Sequence, residues 1–145
     1  MSGSPLVLDT AGLKAFAAAR PSDAIRALLA EAHRRGRAIV APTLVCAELA
    51  RGHARTRSLE AAVARHDRSH GERPALCLID TDFGLARQVG AILEATGSDS
   101  DRIVDAHVVA VCVAYGGGLV VTSDPDDIAD LATAVPAARI RTTHP

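Results

Sequence analysis

Short apolar runs alternate along this chain with longer stretches of helical periodicity, and that alternation leaves few folds open. Leu6–Leu8, Ala38–Val40, Ala75–Ile79 and Leu119–Val121 read as strands, with Arg139–Arg141 as a final one. Unbroken runs of Val, Leu and Ile suit the strands of a parallel sheet covered on both faces. Between them, Ser22 or Asp23 caps a helix carrying Ile25, Leu28, Leu29 and Ala32 on one face and stopping at Gly36. Pro42 opens a helix through Glu48 to Gly52, and a more polar helix runs from Ser58 to His66. Asp82 to Ala95 forms another, closed by Gly97. Asp101 or Ser100 caps the most apolar helix, Ile103 to Tyr115, which Gly116 to Gly118 end, and a short helix follows Asp124. The order β-α-β-αα-β-αα-β-α-β predicts an α/β fold with a central parallel sheet of four or five strands flanked by helices. With 145 residues and no repeat, low-complexity tract or linker, a single domain over residues 1–145 is expected.

Four acidic residues interrupt this apolar pattern. Asp9 ends Leu6-Val7-Leu8, and Glu48 sits between Leu44-Val45-Cys46-Ala47 and Leu49-Ala50. Asp105 lies between Ile103-Val104 and Ala106 to Val113, and Asp124 follows Leu119-Val120-Val121-Thr122-Ser123. Carboxylates are seldom fully buried unless paired or bound to a metal. Ligands of open parallel sheets bind beyond the carboxyl ends of the strands. Asp9 and Asp124 follow directly on strands, while Glu48 and Asp105 fall in helices whose early turns stay near that edge. One shared acidic pocket is therefore expected.

Packing carboxylates together is costly: two charges about 4 Å apart repel by about 4 kcal/mol at an effective dielectric of 20. Either some protonate or a cation neutralises them. Oxygen-only donors select hard ions such as Mg²⁺ or Mn²⁺, and no His/Cys spacing suggests zinc. Such an ion in a carboxylate nest suits phosphodiester hydrolysis.

Composition narrows the partners. The net charge is -1 and the aromatics are only Phe16, Phe83 and Tyr115, which argues against aromatic stacking platforms for single-stranded nucleic acid. Arginines nonetheless concentrate between Arg26 and Arg68, and Lys14 is the single lysine. Arg51, Arg55 and Arg57 follow Glu48 and are candidates to guide an RNA backbone, against the plainer reading of a solvated helix surface. Cys46, Cys77 and Cys112 lack metal or disulfide spacing and read as small core residues, consistent with a reducing cytosol. No apolar run reaches the roughly 18 residues of a membrane span, and no signal-peptide pattern opens the chain. Ser2-Gly3-Ser4-Pro5 reads as a flexible lead-in.

The motifs carrying the acids resemble those of PIN-domain ribonucleases. Val7-Leu8-Asp9-Thr10 looks like their opening and Pro42-Thr43-Leu44-Val45-Cys46-Ala47-Glu48-Leu49 like their second motif. Asp101-Arg102-Ile103-Val104-Asp105-Ala106-His107 looks like the third, and Val121-Thr122-Ser123-Asp124-Pro125-Asp126-Asp127 like the fourth. Order and spacing cover nearly the whole chain, at a length similar to VapC-type toxins of bacterial toxin–antitoxin pairs.

The resemblance implies a three-layer sandwich and a cytoplasmic Mg²⁺- or Mn²⁺-dependent endoribonuclease, partnered by a VapB-type antitoxin and forming a homodimer. It makes Asp9 and Asp105 the principal metal ligands, with Glu48 and Asp124 completing the catalytic centre. Thr122 or Ser123 would hydrogen-bond around it. Asp127 is a further candidate, although capping the following helix is its preferred role, as N-capping is for Asp101.

Local readings compete at each position. Asp9 can end its strand in an Asx-turn with Thr10 and Gly12, and Asp124 can cap the helix after Pro125. His107 reads as a core or interface residue, while His53, His66 and His70 read as surface. Asp80 and Asp82 read as turn and cap. At the level of function, the rivals are a non-catalytic binding protein of the same fold and a DNA-directed nuclease. A haloacid-dehalogenase-type phosphatase would need a second Asp where Ala11 stands. A receiver domain would need a lysine near a late strand.

Overall fold

A computed structural model describes residues 3–68 and 76–145, with the backbone alone at 65–68. Ser2, His70, Ala75 and the side chain of His66 lie outside the described residues. The elements run β1 (Leu6–Leu8), α1 (Thr10–Ala17), α2 (Asp23–Arg34), β2 (Ile39–Pro42), α3 (Thr43–Leu49) and α4 (His53–Arg68). They continue with β3 (Leu76–Ile79), α5 (Phe83–Thr96), a 3₁₀ turn (Ser100–Arg102), α6 (Ile103–Ala114), β4 (Gly117–Val121), α7 (Pro125–Ala132) and β5 (Arg139–Thr143).

The strands form one five-stranded sheet in the order β3-β2-β1-β4-β5, parallel throughout. β1 is central, with Val7 opposite Val40 on one side and Val120 on the other, and all three of its residues are buried. Helices α1, α3 and α4 touch one another, as do α5, α6 and α7, and both groups lie against the sheet. Helix α6 crosses over β1, β2 and β4, and its run Ala106–Cys112 is wholly buried. A helix apolar all round belongs in such a core.

The strand order sets the place of the site. The connection from β1 leads to β2 on one side of the sheet, and that from β4 leads to β5 on the other. The crevice at the carboxyl ends of β1 and β4 is therefore the topological switch point. The four-or-five-strand α/β expectation is met at five.

Helix α1 is absent from the sequence reading. Its propensity is masked by Gly12, which tertiary packing demands: a Cβ there would stand 2.5 Å from the carbonyl oxygen of Val121. Other boundaries move as well. Helix α3 stops at Leu49 rather than Gly52, and α4 begins at His53 rather than Ser58. Gly117 and Gly118 belong to β4, paired with Arg139 and Ile140, instead of closing the preceding helix.

Two capping expectations fail. Neither Ser100 nor Asp101 caps α6; both lie in the 3₁₀ turn, and Arg102 occupies the cap position of α6 without a side-chain cap bond. Asp127 sits inside the first turn of α7, where Asp124 occupies the cap position and makes no side-chain cap bond. Ser22 and Asp82 do cap, accepting from the N–H groups of Ile25 at 3.2 Å and Leu85 at 2.7 Å. Cys112 is buried and Cys46 partly so, but Cys77 is exposed, contrary to the core reading, because β3 is an edge strand. No described helix is long and apolar enough to cross a membrane.

Candidate active site at the strand ends

Asp9 anchors the cluster. It is 5% exposed at the end of β1, and its carboxylate accepts the Gly12 N–H at 2.8 Å, capping α1. Its own N–H donates to the Val121 carbonyl at 3.3 Å, tying the end of β1 to the end of β4. Burial raises its pKa above the usual 3.8; hydrogen bonds from the Thr122 side chain and Gly12 pull it down, and the charge of Asp124 pushes it up. The Asx-turn reading and the site reading thus meet in one carboxylate, whose second oxygen is not needed for the cap.

Thr122 braces the other side. It is 1% exposed, and its hydroxyl accepts the Asp124 N–H at 2.9 Å. Its own N–H donates to the Thr143 carbonyl at 2.9 Å, which fixes the loop to β5. Ser123 and Asp124 are exposed beyond it.

Asp105 occupies the first turn of α6 and is half-buried. Its pKa is pushed up to about 6, first by burial and then by the charges of Asp9, Asp127, Asp124 and Glu48 in that order. Elements distant in sequence therefore bring four other carboxylates into electrostatic range of Asp105. Asp127, inside the first turn of α7, adds to that field.

Glu48 corrects a premise. It is exposed, as are Ala47 and Ala50, so its apolar sequence surroundings overstated its burial. Its Oε2 accepts the Thr10 hydroxyl proton at 2.5 Å. Thr10 was not singled out from sequence, although it directly follows Asp9 and its hydroxyl starts a helix at the same sheet edge. Arg102, missed as well, donates to Asp130 at 2.7 Å and to Asp127 at 3.5 Å.

The donor chemistry suits a hard divalent cation, because every group in the cluster is a carboxylate. The raised pKa of Asp105 expresses its burial first and then the negative charge of its neighbours, and a cation would relieve the second part. Among the described residues, no three His, Cys, Asp or Glu groups close tightly enough to enclose an ion. The carboxylates stand as an open cluster, and side-chain rotation would be needed to bring them onto a common centre. His107 takes no part: it is buried, with Nδ1 2.7 Å from the Ile103 carbonyl oxygen, in keeping with its core reading.

Arg51, Arg55 and Arg57 are exposed. Arg55 lines a separate groove of about 270 Å³ between α1 and α4, together with Lys14, Ala17, Leu49, Ala54 and Leu59.

Comparison with known proteins supplies a family match and structural matches. The family model described as PIN domain matches residues 6–134. The fold is similar to that in a crystal structure of DNA-bound VapBC from Salmonella typhimurium. That match has a TM-score of 0.59 and 19% identity, and covers 97% of this chain and 98% of the other. No curated protein matches significantly.

Proposed function

The chain belongs to the PIN-domain family, and on that premise we propose that it is a divalent-metal-dependent endoribonuclease, the toxin of a VapBC-type toxin–antitoxin pair. The observation that carries this reading is the gathering of Asp9, Glu48, Asp105 and Asp124 at the switch point, with Asp127 beside them. Carboxylates gathered at one edge repel one another, and a cation relieves that repulsion.

Asp9 and Asp105 would be the principal holders of Mg²⁺ or Mn²⁺, with Glu48 and Asp124 completing the centre. When bound, the ion supplies a lowered water pKa and charge neutralisation at the scissile phosphate. Gly12 and Thr122 keep Asp9 oriented, and Thr10 aims Glu48. One carboxylate takes part in orienting the attacking water. The water's oxygen bonds to phosphorus as the P–O3′ bond breaks; the water gives up a proton and the 3′ oxygen takes one up, leaving a 5′-phosphate and a 3′-hydroxyl. Thr122, Ser123 and Asp127 surround the ligands, and Arg51, Arg55 and Arg57 track the RNA backbone.

The structural neighbour is a VapBC complex bound to DNA. That likeness supports a VapB-type antitoxin as partner here. The apolar groove between α1 and α4 is wide enough to receive partner side chains. We read the chain as one cytoplasmic domain that pairs with a second copy.

Purified protein incubated with total RNA and Mg²⁺ or Mn²⁺ tests the activity. Cleavage that EDTA stops and Asp9→Asn abolishes is expected. A folded, antitoxin-free protein that cuts no RNA in either metal would be a binding protein of this fold instead. Cleavage of single-stranded DNA in preference to RNA would reassign the substrate.

A further inference from the structure

We propose that Arg102 is a positioning residue for the acidic centre, a clamp that sets the first turn of α7 against the start of α6. The inference rests on the nuclease reading and deepens it. Arg102 closes the 3₁₀ turn three positions before Asp105, and its side chain is 31% exposed. One arm of its guanidinium donates to Asp130 at 2.7 Å, and the other reaches Asp127 at 3.5 Å. Residues three apart on a helix are neighbours on one face, so a single planar fork spans both.

Asp124 occupies the cap position of helix α7 and its side chain makes no cap bond, although Pro125, Asp126 and Asp127 in the first turn suit a helix start. The bond from Ile128 N–H to the Asp124 carbonyl is long, at 3.4 Å. This is the turn from which Asp124 and Asp127 exert their charge on Asp105. Thr122 holds the Asp124 N–H from the strand side. From the α6 side, Arg102 is the only Arg or Lys among the described residues that forms an ion pair with α7.

Magnitudes favour position over stability. Solvent-exposed ion pairs contribute little to folding, typically below about 1 kcal/mol. Partners that orient metal-holding carboxylates, by contrast, commonly change affinity or activity by about 10- to 100-fold. Arg102 sits between these cases: its pairs reach solvent, yet one of them holds a carboxylate of the cluster. Its loss should register in geometry and barely in melting.

The test compares full-length wild type with Arg102→Ala, Arg102→Lys and Asp130→Asn. Four quantities are read: Mn²⁺ binding without RNA, kcat and KM for RNA, amide hydrogen exchange in α7, and melting temperature. Arg102→Ala should weaken Mn²⁺ binding and lower kcat, each about 10-fold, with KM nearly unchanged. Amide exchange at Asp127 and Ile128 should quicken without metal. Arg102→Lys keeps the charge but loses the fork, and should stay nearer to Ala than to wild type. Asp130→Asn, which removes the arm away from the cluster, should give a smaller loss of the same kind.

Tighter Mn²⁺ binding in Arg102→Ala would mean that Arg102 acts as charge alone, and would overturn the proposal. Unchanged Mn²⁺ affinity and kcat in Arg102→Ala would overturn it equally. Were that variant to misfold, wild-type values in Asp130→Asn would do the same. A wild type that neither binds Mn²⁺ nor cuts RNA removes the nuclease reading itself, an outcome distinct from active wild type with indifferent variants.

Discussion

The hydroxyl of Thr10 donates to Oε2 of Glu48 at 2.5 Å, joining the first residue of α1 to α3 across 38 positions of sequence. The bond gives an exposed carboxylate a fixed aim. It also connects Glu48 to Asp9, because Asp9 caps the helix that Thr10 begins.

Thr10→Val keeps the shape of the side chain and removes the donor. RNA cleavage should fall about 10-fold, since an exposed acid free to rotate no longer meets its partners. Stability should drop by no more than about 1 kcal/mol, because water replaces the lost bond. Cleavage kinetics beside a urea midpoint separate the two effects. An unchanged kcat would remove Glu48 orientation from the mechanism.

Asp9 caps α1 and, in the proposed function, also holds the metal, two duties that substitution can part. Asp9→Asn retains an oxygen for the Gly12 N–H and should fold as well as wild type while losing cleavage. Asp9→Ala should be equally inactive and in addition less stable by about 1 kcal/mol, the usual worth of an N-cap. Equal denaturation midpoints for Asn and Ala would show that the cap contributes nothing.

The pKa of Asp105 sets a pH dependence for the metal-free protein. A carboxyl at about 6 in the native state and 3.8 when unfolded keeps its proton on folding across that interval. The native form then binds more protons than the unfolded chain, so stability from this group falls as pH rises from 3.8 through about 6 and stays reduced above. Asp105→Asn should therefore gain melting temperature over wild type at pH 7.5 and little at pH 4. Added Mg²⁺ should stabilise wild type more at pH 7.5 than at pH 5, since bound metal displaces the proton. A wild-type-minus-variant difference independent of pH would refute the assignment.

Arg51, Arg55 and Arg57 are all exposed, so changing them tests binding with little risk to folding. If each meets a phosphate, the triple alanine variant should flatten the slope of log affinity against log salt by about 2, at about 0.7 per contact on single strands. Equal slopes in a filter-binding titration with inactive Asp9→Asn as background would leave these arginines as solvated surface.

Much of the fold was legible because it is written locally. Ser22 and Asp82 announce their helices through an oxygen three residues before the N–H it caps, and the strands announce themselves by unbroken apolar runs. Helix α1 was not legible: Gly12 looks like a turn residue until the nearby Val121 carbonyl explains it. Glu48 misled in the opposite sense, since alanines beside it counted as core and are exposed.

The sequence by itself determined the alternation of strands and helices, short of α1 and several boundaries, and that acids of one chemical kind punctuate it in a fixed order. Only the tertiary structure decided which carboxylates act on one another. Strand order β3-β2-β1-β4-β5 sets the end of β1 beside the end of β4, and α6 crosses above them. That arrangement brought the charges of Asp9, Asp127, Asp124 and Glu48 to bear on Asp105 and set Arg102 against α7. Periodicity and capping are interactions over one or two turns of chain and can be read along it. Coulomb energy depends on distance through space, which the packing of the sheet alone fixes.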